Sequence, residues 1–175
     1  VRFRDMLIEN CYFTGIGRHA VVFKAVKGLE LRENRFEHVG GAGIVIGGKC
    51  RDVLVEKNIT LYSTCEHHLL PIVGRAHVAY ISNGNVIGLS KMNRIVEYFA
   101  KRPQVQERLT NQIANELQSI LGTDDVAVII DAKHLCVSSR GIKDDTSTTV
   151  TSFYGGVFNE PHKIAELQNF INNGS

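Results

Sequence analysis

If Cys65, His68 and Cys136 share one metal ion, the chain must fold a stretch near residue 136 back against a single turn near residue 65. Cys65-Glu66-His67-His68 has the Cys-x-x-His spacing that lets two ligands reach one ion from one turn. Cys136 sits in His134-Leu135-Cys136, an apolar stretch that reads as a remote strand able to bring a third ligand. Two thiolates and one imidazole suit Zn²⁺, and three protein ligands leave a fourth position for water, whereas structural zinc sites usually close with four. His67 and His134 flank the ligands and are candidate proton carriers near neutral pH. On spacing alone, core cysteines beside surface histidines remain the alternative.

The first third of the chain has a different pattern. Leu7-Ile8-Glu9-Asn10, Leu31-Arg32-Glu33-Asn34 and Val55-Glu56-Lys57-Asn58 recur at 24 residues (34 − 10, then 58 − 34). Gly17–Phe23 is echoed by Gly41–Ile46. Short apolar alternations, glycine turns and a repeating Asn are the marks of a coil-type repeat. Residues 1–57 therefore read as a β-solenoid-like segment of about two and a half coils, fewer than solenoids generally need. Phe13, Val22, Phe36, Ile44, Ile46, Cys11 and Cys50 are expected inside the stack, and Asn10, Asn34 and Asn58 in a turn ladder. The segment reads as scaffold, because it clusters neither acids nor bases that would mark a polysaccharide site.

From residue 58 onward the pattern is α+β. Gly74–Ser82 alternates as a strand, and Asn83-Gly84 signals a type I′ hairpin into Val86–Leu89. Lys91–Lys101 reads as a helix stopped by Pro103, with Ser90 as its N-cap. Val105, Leu109, Ile113, Leu117 and Leu121 recur every four residues, predicting a second helix that ends at Gly122. Val126–Asp131, Leu135–Ser139 and Ser147–Phe158 read as strands, and Pro161 opens a terminal helix through Ile171. Asp144–Thr149 reads as a mobile loop.

Several blocks of this second part resemble the GTP cyclohydrolase I family. They are Ser63-Thr-Cys-Glu-His-His-Leu-Leu-Pro71, Gly88-Leu-Ser-Lys91 with Arg94, Arg102-Pro-Gln-Val-Gln-Glu-Arg-Leu-Thr110, His134-Leu-Cys136 and Ser139-Arg-Gly141. They fall in the family's order and spacing from Asn58 to about Phe170. The resemblance implies a tunnelling fold, an antiparallel sheet with a helix pair, assembled into a homodecameric ring with active sites between subunits. It implies that zinc on Cys65, His68 and Cys136 activates water for attack on C8 of the guanine of GTP. His134 would protonate the neighbouring ring nitrogen and His67 would serve the later steps at the ribose. Gln106 and Glu107 would read the guanine edge, a carboxylate making charge-assisted bonds that adenine could not match. Ser90, Lys91, Arg94 and Arg140 would hold the triphosphate, with Lys91 and Arg94 one turn apart. The products would be formate and 7,8-dihydroneopterin triphosphate. Without the family, Gln106, Glu107 and the basic residues read as an ordinary solvated surface.

The family usually has helical sequence, with a phosphate-binding arginine, ahead of Cys-Glu-His-His. Here the repeat stands in its place and the chain opens on Val1, so the expectation is a chimera or fragment, divided into 1–57 and 58–175. The alternatives are an inactive graft that binds zinc and guanine, and a β-helix scaffold of the carbohydrate-active type. A tunnelling-fold nitrile reductase fits less well, since Cys65-x-x-His68 with Cys136 argues for a metal. The net charge of +2 gives no case for nucleic acid or membrane attraction, and no RNA-binding fingerprint is present. No apolar run reaches membrane-spanning length. Four cysteines, two of them expected metal thiolates, point to a reducing compartment, the cytoplasm.

Overall fold

The structure, a computed structural model, describes residues 4–9, 11–16, 21–24, 27–32, 35–37, 44–47 and 53–173. In the first third, strands β1 (Arg4–Glu9), β2 (Tyr12–Thr14) and β3 (Val21–Lys24) are followed by β4 (Lys27–Arg32), β5 (Arg35–Glu37) and β6 (Ile44–Gly47). They pair in parallel as β1 with β4, β2 with β5 and β3 with β6. All three ladders share one offset: Arg4 faces Lys27, Tyr12 faces Arg35 and Val21 faces Ile44 (27 − 4 = 23). The first step is thus one residue shorter than the sequence repeat suggests. Ile8, not Leu7, lies opposite Leu31. The slip changes which side chains face inward, because alternate strand residues point to opposite faces. Val22, expected inside, is 48% exposed, while its neighbour Val21 packs on the main core. Phe13 is half-buried, Asn58 is an exposed strand residue, and Asn10, Asn34 and Cys50 lie outside the described residues.

The second part begins with two long antiparallel strands, β7 (Val53–Cys65) and β8 (Pro71–Ser82). On β7 the period-2 alternation is clear: Ile59, Leu61, Ser63 and Cys65 are buried, and Thr60 and Tyr62 are exposed. Helix α1 (Leu89–Ala100) leads to a two-residue strand, β9 (Pro103–Gln104), and helix α2 (Gln106–Leu121). Next come β10 (Val126–His134), the single-turn α3 (Leu135–Ser138) and β11 (Thr149–Tyr154). A 3₁₀ turn (Gly156–Asn159) and α4 (Pro161–Asn173) complete the described chain. The strands form one sheet in the order β1-β4-β7-β8-β10-β11, with β9 beside the end of β7.

Two apolar layers hold this sheet. Met92 and Val96 of α1 and Leu109, Ile113 and Leu117 of α2 pack on Leu61, Ile72, Val78, Val126 and Ile130. Leu29 of β4 joins this core fully buried. On the other face Ala79, Ala127 and Ile129 meet Phe158 and Leu167, the latter from α4. Gly122 ends α2 at φ +65°, the left-handed conformation that glycine adopts without steric cost.

Four local expectations change. Asn83-Gly84 makes no hairpin, and residues 86–88 are loop running into α1 at Leu89. The Ser82 hydroxyl takes over the turn, donating to the Asn85 carbonyl at 2.7 Å and accepting from the Gly84 N–H. The N-cap of α1 is Gly88, without a side-chain cap, so Ser90 lies inside the first turn. Leu135–Ser138 is helical rather than a strand, and the strand expected over 147–158 narrows to Thr149–Tyr154.

Candidate metal centre and nucleotide site

The metal triad forms where three chain segments meet. Cys65 ends β7, His68 sits in the turn to β8, and Cys136 is carried on α3 directly after β10. The turn is closed by backbone bonds from Leu69 N–H to the Cys65 carbonyl and from Cys65 N–H to the Leu70 carbonyl, each 2.8 Å. Leu69 adopts φ +54°, uncommon for a branched residue, beside a ligand. The ligand atoms of Cys65, His68 and Cys136 lie within 4.8 Å of one another, with Cys65 Sγ 3.7 Å from His68 Nδ1. Burial and the neighbouring Cys65 thiol push the Cys136 thiol up, against the pull of Arg140. A divalent cation would reverse that balance by favouring the thiolates. Two thiols and an imidazole at this separation are a donor set that fits zinc with an open position.

Around the triad, β9 and the first turn of α2 supply the support. Gln104 accepts at its backbone carbonyl from Glu66 N–H, and its side chain accepts from Arg108 Nε at 3.1 Å. Arg108 also pairs with the Glu66 carboxylate, tying the metal turn to α2. Sequence reasoning gave Gln104 and Arg108 no role, although both fall in the Arg102–Thr110 block. His67 is exposed and stands edge-on to His68, ring centroids 6.1 Å apart.

His134, at the end of β10, is half-buried. Burial lowers its pKa, and the Glu107 carboxylate pulls it back up. Glu107 is exposed on the first turn of α2 and so faces the same region as His134. Gln106 differs from a solvent-facing base reader. It is only 2% exposed, and its amide nitrogen is engaged by the Ile130 carbonyl, the Thr149 carbonyl and the Thr151 hydroxyl. Its Oε1 lies 2.7 Å from His134 Nε2. As placed, Gln106 acts on the site through His134 and offers no free N–H to a base.

The remaining predicted residues divide between two ends of the sheet. Arg140 belongs to the metal end, close enough to act on Cys136. Ser90, Lys91 and Arg94 lie on the first turns of α1, a helix that starts at the other end. Lys57 of β7 donates to the Leu89 carbonyl at 3.3 Å, which places the start of α1 over Lys57. β9, just after α1, pairs with Thr64 and Cys65. Eight residue steps of strand separate Lys57 from Cys65, roughly 26 Å at the usual rise. Lys91 and Arg94 line a cavity of about 610 Å³ with Ile87, Tyr98, Phe99 and Glu116, and none of the metal ligands is among its walls.

The profile of the GTP cyclohydrolase I family matches residues 20–172 of this chain. The chain belongs to that family. Among its relatives, the GTP cyclohydrolase 1 of Flavobacterium johnsoniae is 72% identical over 123 residues, 70% of this chain and 55% of that protein. The GTP cyclohydrolase 1 of Photobacterium profundum is 60% identical over 110 residues, 63% of this chain and 51% of the relative. That of Aeromonas hydrophila is 57% identical over 120 residues, 68% and 55% of the two chains. The chain thus spans about half the length of these curated relatives. Among solved structures, the archaeosine synthase QueF-Like in its apo form aligns with a TM-score of 0.49 at 16% identity, covering 59% of this chain and 93% of that one. The GTP cyclohydrolase I match begins at residue 20, inside the repeat, so it gives no support to a chimera joined near residue 57. The fold is the curled, antiparallel-rich sheet with helices of the GTP cyclohydrolase I family. Among the described residues no helix is long and apolar enough to cross a membrane.

Proposed function

We propose that this chain carries out the zinc-dependent hydrolysis of the guanine imidazole ring of GTP, giving formate and 7,8-dihydroneopterin triphosphate. The observation that carries this reading is the convergence of Cys65, His68 and Cys136 next to the His134–Gln106 pair. Cys65, His68 and Cys136 would hold zinc, which when bound would supply Lewis-acid activation of water. His134 gives a proton to the ring nitrogen beside C8, and burial, which lowers its pKa against the pull of Glu107, makes the protonated imidazole the stronger acid. Glu107, exposed at the start of α2, accepts from the guanine N–H groups, and Gln106 supports the same site from beneath through His134. His67, exposed beside the triad, is free to move protons at the ribose in the later steps. Arg140 takes the phosphate nearest the metal end.

Ser90, Lys91 and Arg94 take the rest of the triphosphate. They lie on the first turns of α1, whose start sits over Lys57, a residue about 26 Å along β7 from Cys65. That span favours a site assembled from two subunits, with the cations of one chain facing the metal of the next. A homodecameric ring meets that need. Within one chain the sheet ends at β1 and β11. A ring that continues the sheet has to join those strands, or the stretch of β7 between Val55 and Thr64 that β4 and β9 leave open. Residues 1–57 serve as a short coil-type scaffold ahead of a catalytic part from 58 to 175, a reading supported by the three parallel ladders with a common offset. A reducing cytoplasm suits the two metal thiols.

The test is formate release from GTP by zinc-loaded protein under reducing conditions, with Cys136→Ala as control. Formate from the parent alone supports the reading. Tight stoichiometric zinc without formate makes the chain a metal- and guanine-binding protein that does not turn over.

A further inference from the structure

Two threonines beneath the site form a hydrogen-bond circuit whose direction can be worked out. Thr110 is buried on α2 and donates to the Gln106 carbonyl at 2.9 Å. Its oxygen also lies 2.7 Å from the Thr151 hydroxyl oxygen on β11. Each hydroxyl has one hydrogen. Thr110 has spent its own on the carbonyl, so Thr151 donates to Thr110. Thr151 then offers only lone pairs to Gln106, and the Gln106 amide nitrogen is the donor at 3.1 Å. The same nitrogen faces the backbone carbonyls of Ile130 and Thr149, at 3.1 and 2.7 Å. Turning the amide over would press its oxygen against two carbonyl oxygens, with no hydrogen between them. The orientation is therefore set, and Oε1 points at His134. A carbonyl oxygen 2.7 Å from His134 Nε2 requires that Nε2 carry the hydrogen.

We propose that Thr151, backed by Thr110, is a positioning residue for His134: through Gln106 it holds the imidazole with Nε2 protonated and leaves Nδ1 as the nitrogen that serves the substrate. The proposal rests on the reading of His134 as a substrate-facing group and adds which of its atoms does the work. The Nε2 hydrogen stays on the ring, bonded to Gln106 Oε1, and Nδ1 is the ring nitrogen left to face the substrate. Loss of the Thr151 hydroxyl removes one of three acceptors around the amide and the donor to Thr110, so Gln106 keeps its two carbonyl partners but is held less firmly, and the second imidazole tautomer becomes accessible.

The experiment is nitrogen NMR on zinc-loaded protein labelled with ¹⁵N-histidine at mildly alkaline pH, with His134→Asn identifying the His134 signals. Thr151→Val and Thr151→Ser are compared with the parent, and formate release is measured on the same samples. The expected result is a single Nε2-protonated tautomer in the parent and in Thr151→Ser, and a mixture in Thr151→Val. kcat in Thr151→Val falls by roughly ten-fold or more, with KM and zinc content unchanged. A single Nε2–H tautomer surviving in Thr151→Val overturns the proposal, as does an equal loss of kcat in the Val and Ser variants. If the parent shows the tautomer and Thr151→Val loses it while no sample releases formate, the positioning stands and the cyclohydrolase reading fails.

Discussion

Gly74 shows how sharply one position can be constrained. It lies opposite Ala132 in the β8–β10 ladder, and a Cβ there would come 2.1 Å from the Asp131 carbonyl oxygen and 2.5 Å from the Ala132 Cα. Both are backbone atoms that cannot step aside, so Gly74→Ala should cost on the order of 3 kcal/mol, read as a clear fall in Tm. Tyr80, fully buried, is the residue with a pH signature. Its hydroxyl donates to the Ile87 carbonyl and accepts from the Ile87 N–H, and burial pushes its pKa up to about 12. A pKa raised on folding means that the stabilisation is complete below the unfolded value near 10. It is lost as pH rises through the folded value. One of the five tyrosines should ionise late in an ultraviolet titration. Stability should fall by about 2–3 kcal/mol across that window, and Tyr80→Phe should flatten the alkaline fall. At the metal, Cys136→Ala should reduce bound zinc per chain to near background in metal analysis, since two ligands hold zinc far more weakly than three.

Among the elements, α2 does the most. Its stripe of Leu109, Ile113, Leu117 and Leu121 fixes it on the sheet, and its first turn then delivers Gln106, Glu107 and Arg108 to the site. That stripe was legible, because burial against a flat sheet imposes the helical period directly. The partners of the first turn were not: whether Gln106 faces water or His134 depends on where β10 and β11 lie beneath it. α3 was misread as strand because a four-residue apolar run carries no period that separates the two. The Glu66–Arg108 pair, with both side chains nearly half exposed, should contribute under about 1 kcal/mol to stability in a double-mutant cycle. Its effect should appear instead in the metal turn. Arg108→Ala should weaken zinc about ten-fold in competition with a chelator, with Tm little changed.

On the scale of the whole molecule, the separation of the two ends of the sheet is the feature with the largest consequence. The start of α1 lies over Lys57, eight strand residues from Cys65, so under the proposed function Lys91 of one chain would serve the metal centre of another. Lys91→Ala and Cys136→Ala proteins should therefore each be inactive, and co-assembled mixtures should recover part of the formate release. Failure to complement in a mixed oligomer of verified composition would place both residues in one subunit's site, against the strand geometry. The cysteines and histidines of the metal centre were visible in the sequence because ligand chemistry needs particular residue types at short spacing, and those survive without coordinates. Helix stripes and strand alternation were visible because one-sided burial writes a period into the chain. The first coil step of 23 residues, where the step from β4 to β7 keeps the expected 24, the turn taken by Ser82, and the buried circuit from Thr110 to His134 were settled only by tertiary structure. Each depends on which backbone groups compete for a hydrogen bond in a given place, and that competition involves residues far apart in the chain.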